Sequence, residues 1–535
     1  MPSRASSTTT PHDRSAEQIE GFYRLAALHP DRPALLLPTG PQLTFGDLGA
    51  RTNRLSHALR SLGLTAGDTV VAIVRNGSEY FELALSTGQI GMTLVPVNHH
   101  LSPHEMAYII SDSGASVVVA NADIARSLTT HTEPAEVLPR HRFVVGDAPS
   151  ADDLHGWRAY HRLGNGEPST PPDHRRTGVT MGYTSGTTGR PKGVKRRMPA
   201  VEPEEFLPAI HRDSLGKYGI TPGNGVHLVC SPLYHSAPGF HALSFLHAGH
   251  TLVVHDRFDA EATLRDVERY RVTSSHMVPT HFHRLLRLPD EVRQRHDLSS
   301  LRLLIHAGAP CPVETKRRML DWVGPIVWEY LGSTEGHVTT VGPDEWLARP
   351  GTLGRPKPGM TVKILDGTGA EVPQGEAGII YFEVGMADFE YHHDAEKTAA
   401  NRVGGLVTVG DMGYFDEDGY LFLLDRRTDL VVSGGVNIYP AEIEQHLITH
   451  PSVADVAVIG RPDPEWGQSL LAVVQPAPEA VPGDSLAEDL RDFCRQGLAS
   501  FKCPRQFEFL SEFPRTESGK LQRRVLRDAY VKETE

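Results

Sequence analysis

Residues 183–194 read Tyr183-Thr184-Ser185-Gly186-Thr187-Thr188-Gly189-Arg190-Pro191-Lys192-Gly193-Val194, and no other stretch constrains this chain as strongly. Glycines allow backbone N–H groups to approach an anion closely. Hydroxyls donate to phosphate oxygens, and successive amides in a tight turn form an anion-binding nest. Arg190 and Lys192 add positive charge at the end of the run. The order hydroxyl, glycine, cation predicts a loop that wraps the phosphates of a nucleotide. It is not the P-loop of the NTPases, because Pro191 precedes Lys192 and Gly193 follows it, where that motif has Gly-Lys-Ser/Thr.

A loop of this kind needs a rigid frame, and the chain is long enough to build one. Its 535 residues exceed what one hydrophobic core holds, so at least two domains are expected. The balance of 66 acidic against 53 basic residues, without a basic run, argues against nucleic acid or an anionic membrane as the main partner. Cys230, Cys311, Cys494 and Cys503 form no C-x-x-C pair, which argues against a thiolate zinc site or a disulfide framework. Residues 1–15 are Ser/Thr-rich without an apolar centre and read as a disordered segment, not a signal peptide. No apolar run of about 18 residues suggests a membrane span. The expected setting is the cytoplasm, with reduced cysteines and no transmembrane segment.

Hydrophobic periodicity sets the fold class. A helix follows Thr44, and Val70–Val74, Thr93–Val97 and Ser116–Ala120 are apolar strands separated by helices at 78–90 and after Ser102. Ser102-Pro103-His104-Glu105 is a capping box with proline at the first helical position. Strands alternating with helices predict βαβ units and a parallel sheet. Residues 131–176 are rich in Pro, His and Asp and read as variable loop. Gly225–Cys230 and Thr251–His255 read as further strands, 261–270 and 312–322 as helices. Beyond about 350, short strands with Gly/Pro turns suggest a β subdomain. The last hundred residues suggest a compact α+β unit: Pro440 opens a helix, Val456–Ile459 and Leu470–Val474 are strands, and 485–498 is an amphipathic helix. The predicted class is α/β: a large N-terminal domain of parallel and mixed sheets layered with helices plus a β subdomain (16–425), a hinge at 426–429, and a small mobile α+β C-terminal domain (430–535).

Five further motifs carry chemistry. Trp328-Glu329-Tyr330-Leu331-Gly332-Ser333-Thr334-Glu335-Gly336 runs a short strand into a turn holding one carboxylate. Ligands sit beyond the carboxyl ends of parallel strands, and nucleotide-bound Mg²⁺ takes one or two carboxylates plus phosphate oxygens, a role Glu335 fits. His306-Ala307-Gly308-Ala309-Pro310 follows a strand, and its small residues let a flat ring lie on the backbone. Asp411, between Gly410 and Met412, is followed by Asp425-Arg426; a carboxylate accepts both ribose hydroxyls at once. Val432-Ser433-Gly434-Gly435 precedes a helix start, and Pro514-Arg515-Thr516-Glu517-Ser518-Gly519-Lys520-Leu521 places one lysine on a Ser-Gly turn near the end. His276, His281 and His283 match no zinc spacing, and no G-x-S-x-G elbow exists.

In this order, over roughly 20–530, the motifs resemble the adenylate-forming superfamily of acyl-CoA synthetases, adenylation domains and luciferases. The resemblance implies ATP, Mg²⁺ and coenzyme A as cofactors. It implies that Thr184, Ser185, Gly186, Thr187, Thr188, Gly189 and Lys192 hold phosphates, that Thr184 and Glu335 serve the metal, and that Thr334 contacts phosphate. Gly308, Ala309, Glu329, Tyr330 and Leu331 border the adenine. The family carries an aromatic residue immediately before Gly332, where this chain has Leu331, so the stacking residue is either Tyr330 or Leu331. Asp411 and Arg426 hold the ribose. The acyl pocket takes Tyr234, His235, Gly239, His306, Gly308 and Gly332. Thr428 occupies the hinge position, where the family commonly has Asp or Lys. Ser433, Gly434 and Gly435 border the pantetheine path. Lys520, with Thr184 and Glu335, is catalytic.

The implied reaction activates a hydrophobic carboxylic acid, fatty or aromatic, as acyl-AMP with release of pyrophosphate, then passes the acyl group to coenzyme A as the C-terminal domain rotates. The rival readings are a free-standing enzyme that loads an acyl carrier protein or an amine, and a non-catalytic nucleotide-binding scaffold. A small-molecule acid and a thiol are the expected partners, and the chain is expected to be a monomer or homodimer.

Overall fold

Alternation along buried strands decides the layering. The structure, a computed structural model, describes residues 20–131, 138–146, 154, 156–184, 191–223, 225–385, 388–426, 429–433, 436–463, 466–516 and 521–531. In strand Thr69–Ile73 all five residues are buried, yet Val70 and Ala72 enter one core while Val71 and Ile73 enter another. Successive side chains of a strand point to opposite faces, so this strand lies between two helical layers.

It belongs to an all-parallel six-stranded sheet ordered Arg158–Ala159, His141–Val145, Ala115–Asn121, Thr69–Ile73, Thr93–Pro96, Val179–Thr180. Helices Pro103–Asp112 and Ala122–His131 cover its outer face. Helices Phe45–Ser61, Ser78–Gln89 and Ser236–His247 fill the space between it and a nine-stranded sheet. That second sheet is parallel through its centre and antiparallel at both edges. Helices Ala260–Arg269, Pro279–Leu286 and Val313–Val323 cover its far face.

The capping box predicted at Ser102 forms, and the helix after Thr44 opens on a second one. Thr44 and Asp47 exchange hydrogen bonds of 3.0 Å in each direction, and Ser102 and Glu105 do the same at 2.8 and 3.3 Å. The reading of 131–176 as loop needs correction. His141–Val145 is a strand of the parallel sheet, with Phe143 in the middle core and Val144 in the outer one. Burial on both faces leaves no period-two pattern to read, and the strand opens on His141 and Arg142.

Two smaller sheets frame the site. Gly182–Thr184 and Lys192–Arg196 form a hairpin extended by Phe389–Tyr391. A β subdomain pairs Asp411–Phe415 with Leu421–Arg426 and with Gly378–Phe382. The C-terminal unit is a sheet of Val453–Asp463, Gly467–Pro476 and Gln506–Phe509. Helices Pro440–Leu447 and Asp484–Gly497 cover one face, and helix Arg523–Val531 packs on the other. The first two of these strands run longer than the sequence suggests.

Candidate active site

One cavity gathers most of the motif residues. Thr184, Glu335, Asp411 and Gly308 line it together with Thr516 and Leu521 of the C-terminal unit. Residues 185–190, which hold Ser185, Gly186, Thr187, Thr188, Gly189 and Arg190, lie outside the described residues, as do Thr428, Gly434, Gly435 and Lys520. Their flanks are described. Thr184 and Lys192 are cross-strand partners, so the predicted phosphate loop connects two paired strands. Arg515 and Leu521 form an isolated antiparallel bridge on either side of the lysine turn. The described flanks of the Gly434-Gly435 turn, Ser433 and Val436, pair with each other and do not line the cavity.

Glu335 sits at the tip of the hairpin made by strands Val327–Gly332 and His337–Val341, and it is 5 % exposed. The Tyr391 hydroxyl donates to its Oε1 at 2.8 Å. Arg196 donates to the carbonyls of Thr334 and Glu335 at 2.9 and 2.7 Å, which fixes the turn against the phosphate-loop hairpin. Thr334 and Ser236 place their hydroxyl oxygens 3.2 Å apart, joining the turn to the start of helix Ser236–His247. Gly336 has no room for a side chain, because a Cβ would stand 2.8 Å from the Phe382 ring. Lys192 pairs with Asp394, which also caps helix Ala395–Ala400. Lys397 of that helix lines the cavity with its ammonium 4.7 Å over the Tyr391 ring. Tyr391, Arg196 and Lys397 escape motif reading, because each sits in an ordinary strand or helix and acts through contacts distant in sequence.

Strand parity sorts the other residues. Tyr330 faces the cavity side and stacks on His337 at 5.4 Å, with its hydroxyl 3.3 Å from His276 Nε2. Leu331 lies on the opposite face of the strand, where it packs against the core of the β subdomain and still lines the cavity. Of the two residues expected at the nucleotide and the acyl pocket, Glu329 lines the cavity but commits its carboxylate to a buried partner, and His306 is not among the lining residues. The Glu329 carboxylate accepts from Lys316 at 2.7 Å, and His306 Nε2 lies 3.5 Å from the same oxygen. Lys316 and His306 are fully buried. Burial pushes the Glu329 pKa up against the pull of Lys316, and burial together with Lys316 keeps His306 neutral. Gly239 also leaves the expected pocket. It sits within helix Ser236–His247 against the Tyr80 hydroxyl and the Leu233 carbonyl.

Gly308 takes φ 88°, a conformation that glycine adopts without strain, and turns the chain after strand Leu303–His306. Asp411 and Arg426 are cross-strand partners, so the two expected ribose residues are neighbours along the backbone ladder. Tyr234 and His235 line the cavity with ring centroids 4.5 Å apart, and His235 is the N-terminal cap position of helix Ser236–His247.

Residues 22–385 match the family model of AMP-binding enzymes, and residues 442–520 match the AMP-binding enzyme C-terminal domain. The chain belongs to the AMP-binding enzyme family. It is 33 % identical over 528 residues to the fatty acid–[acyl-carrier-protein] ligase ScoC of Streptomyces coeruleorubidus, covering 96 % of this chain and 97 % of that one. It is 34 % identical over 490 residues to feruloyl-CoA synthase of an Amycolatopsis species, covering 90 % and 93 %. The solved anthranilate CoA ligase AuaEII in complex with anthranoyl-AMP superposes with a TM-score of 0.83 at 26 % identity, covering 96 % and 97 %. This member of the AMP-binding enzyme family is therefore an adenylate-forming ligase with the two-part architecture that the sequence predicts. Among its described residues, no helix is long and apolar enough to cross a membrane.

Proposed function

We propose that the protein is an acid–CoA ligase: it activates a carboxylic acid with ATP as acyl-AMP, releases pyrophosphate, and passes the acyl group to the thiol of coenzyme A. The observation that carries this reading is the shared cavity. Thr184 and Glu335 of the large domain line it with Thr516 and Leu521, which flank the turn holding Lys520. In this reading Lys520, the residue before Leu521 in the sequence, serves the phosphate end. There it offsets charge that develops between the carboxylate and the α-phosphate, and donors of this kind are worth roughly 3–4 kcal/mol each.

The residues fit Mg²⁺ bound with the nucleotide. Glu335 commits Oε1 to Tyr391 and keeps Oε2 for a ligand. Among the described residues no group of three or more His, Cys, Asp or Glu side chains could hold a metal alone. That suits an ion which takes one carboxylate and completes its shell with phosphate oxygens and water. When bound, it supplies charge neutralisation for the phosphates. Thr184, Thr334 and Lys192 border those phosphates, together with Ser185 to Gly189. Asp411 and Arg426 hold the ribose. Leu331 lies towards the β subdomain and covers the adenine, which leaves Tyr330 to the acid. Catalysis is then positioning and electrostatics. Because Ser433 and Val436 stand off the cavity wall while Thr516 and Leu521 line it, this arrangement matches the first half-reaction. A swing about 426–429 brings Gly434 and Gly435 in for the second.

The aromatic walls at Tyr234, Phe240 and Tyr330 suit a flat acid more than a long alkyl chain. A second reading, loading of a carrier protein, is favoured by the similarity to an acyl-carrier-protein ligase. The test is pyrophosphate exchange with a panel of acids, followed by coenzyme A or a carrier protein as acceptor. Lys520→Ala should abolish acyl-AMP formation and largely spare transfer from pre-made acyl-AMP. Equal loss in both steps overturns the assignment.

A further inference from the structure

One charged side chain that lines the cavity is not among those that the ligase reading assigns to ATP. Lys217 caps the C-terminal end of helix Pro203–Gly216 and lines the cavity. Its ammonium donates to His337 Nε2 at 2.8 Å and stands 5.6 Å from the Tyr330 ring centroid. It forms no ion pair with any carboxylate of the described residues. Asp213, one helical turn earlier, is committed to Lys357, and both of those side chains are more than half exposed.

The groups around Lys217 do not neutralise it. His337 Nε2 also takes a hydrogen bond from the Thr340 hydroxyl at 2.9 Å, so that imidazole is an acceptor. His241 stacks on His276 at 4.6 Å and gives its Nδ1 hydrogen to the Ala237 carbonyl at 2.9 Å, which leaves a buried Nε2 without a partner. Burial, with Lys217 as a lesser cause, pushes His337 and His241 down to about 3 and about 4. Burial also lowers Lys217, to about 8, so it stays protonated at neutral pH. The Lys217 ammonium therefore sits among neutral imidazoles and a phenol, with the exposed Asp213–Lys357 pair at the edge of the same wall. A half-buried cation is costly unless an anion meets it.

The geometry places that cation at the far end of the acid. Thr334 and Glu335 mark the phosphate end at the hairpin tip, and Tyr330, His337 and Thr340 lie down its stem. The facing helix runs the same way: Ser236 touches Thr334, and His241 follows five residues later, roughly 7.5 Å along the axis. An acid with its reacting carboxylate at the tip extends along this stem towards Lys217.

We propose that Lys217 is a specificity-determining residue, and that the substrate is a short or flat acid carrying a second anionic group, such as a distal carboxylate, which pairs with its ammonium. This rests on the ligase reading and names the substrate class of the same site. Such a charge-assisted contact favours the dianionic acid by about 10- to 100-fold in kcat/KM over its monoanionic counterpart.

Matched pairs test it: hexanoate against hexanedioate, and benzoate against benzene-1,4-dicarboxylate, each by acid-dependent pyrophosphate exchange. The wild type should prefer the diacid of each pair. Lys217→Met should bring the ratio close to one by losing activity on the diacid alone, and Lys217→Arg should keep the preference. A folding defect would lower both members equally, so the ratio reports the pocket. Activation without a preference for the diacid, or a preference that survives Lys217→Met, overturns this inference and leaves the ligase reading standing. No acid-dependent exchange with either pair or with the wider acid panel overturns the ligase reading, and this inference with it.

Discussion

The hydroxyl of Tyr391 donates to Oε1 of Glu335 at 2.8 Å across 56 positions of sequence. Tyr391 lies on the edge strand that extends the phosphate-loop hairpin, and Glu335 on the tip of a hairpin from the nine-stranded sheet. One hydrogen bond thus ties the carboxylate proposed for the metal to the frame of the loop proposed for the phosphates. Tyr391→Phe keeps the ring and removes the donor. The Mg²⁺ concentration for half-maximal pyrophosphate exchange should rise by about 10-fold, at the low end of what loss of such a supporting contact costs. An unchanged Mg²⁺ requirement would show that Glu335 is held by other means.

Beneath the cavity, Lys316 and Glu329 form a buried pair 2.7 Å apart. Removing one partner strands the other charge in the core. Lys316→Met should cost about 3–5 kcal/mol in urea unfolding, and adding Glu329→Leu should recover much of it. Additive losses in the double variant would contradict the pairing.

The buried histidines make the protein acid-labile. His241, His247 and His281 are at most 4 % exposed, and burial pushes them down to about 4, 3 and 3. In the unfolded chain the same rings charge near 6.5. Below that pH the unfolded state binds more protons than the folded one, so stability falls as pH falls, by about 1.4 kcal/mol per pH unit for each such histidine. The urea midpoint should drop steeply from pH 7 to pH 5, and a flat midpoint across that range would refute the argument.

Glycine in a helix normally costs about 1 kcal/mol relative to alanine. At Gly239 the sign reverses, because an added methyl would meet the Tyr80 hydroxyl and stand 2.8 Å from the Leu233 carbonyl. Gly239→Ala should lower stability by about 1–3 kcal/mol, the usual cost of overpacking, and should disturb the adjoining Tyr234–His235 wall. A raised melting temperature would show that helix Ser236–His247 can shift to make room.

The local features were legible because their causes are local. A capping box lies within four residues, and apolar runs mark strands that must be covered on both faces. The order of those motifs along the chain was enough to anticipate the family, the layered α/β domain and the smaller α+β unit. Which side chains share the cavity was settled in three dimensions. Strand parity put Tyr330 and Glu329 on opposite faces of one strand, Tyr330 stacked on His337 and Glu329 bonded to the buried Lys316, and a one-residue change in register would have exchanged those partners. Helix packing brought Lys217 beside His337 across 120 positions, and sheet pairing carried Tyr391 to Glu335. None of these partners is marked by spacing, because a contact between distant segments depends on how sheets and helices stack, and a single sequence does not write that geometry at either residue.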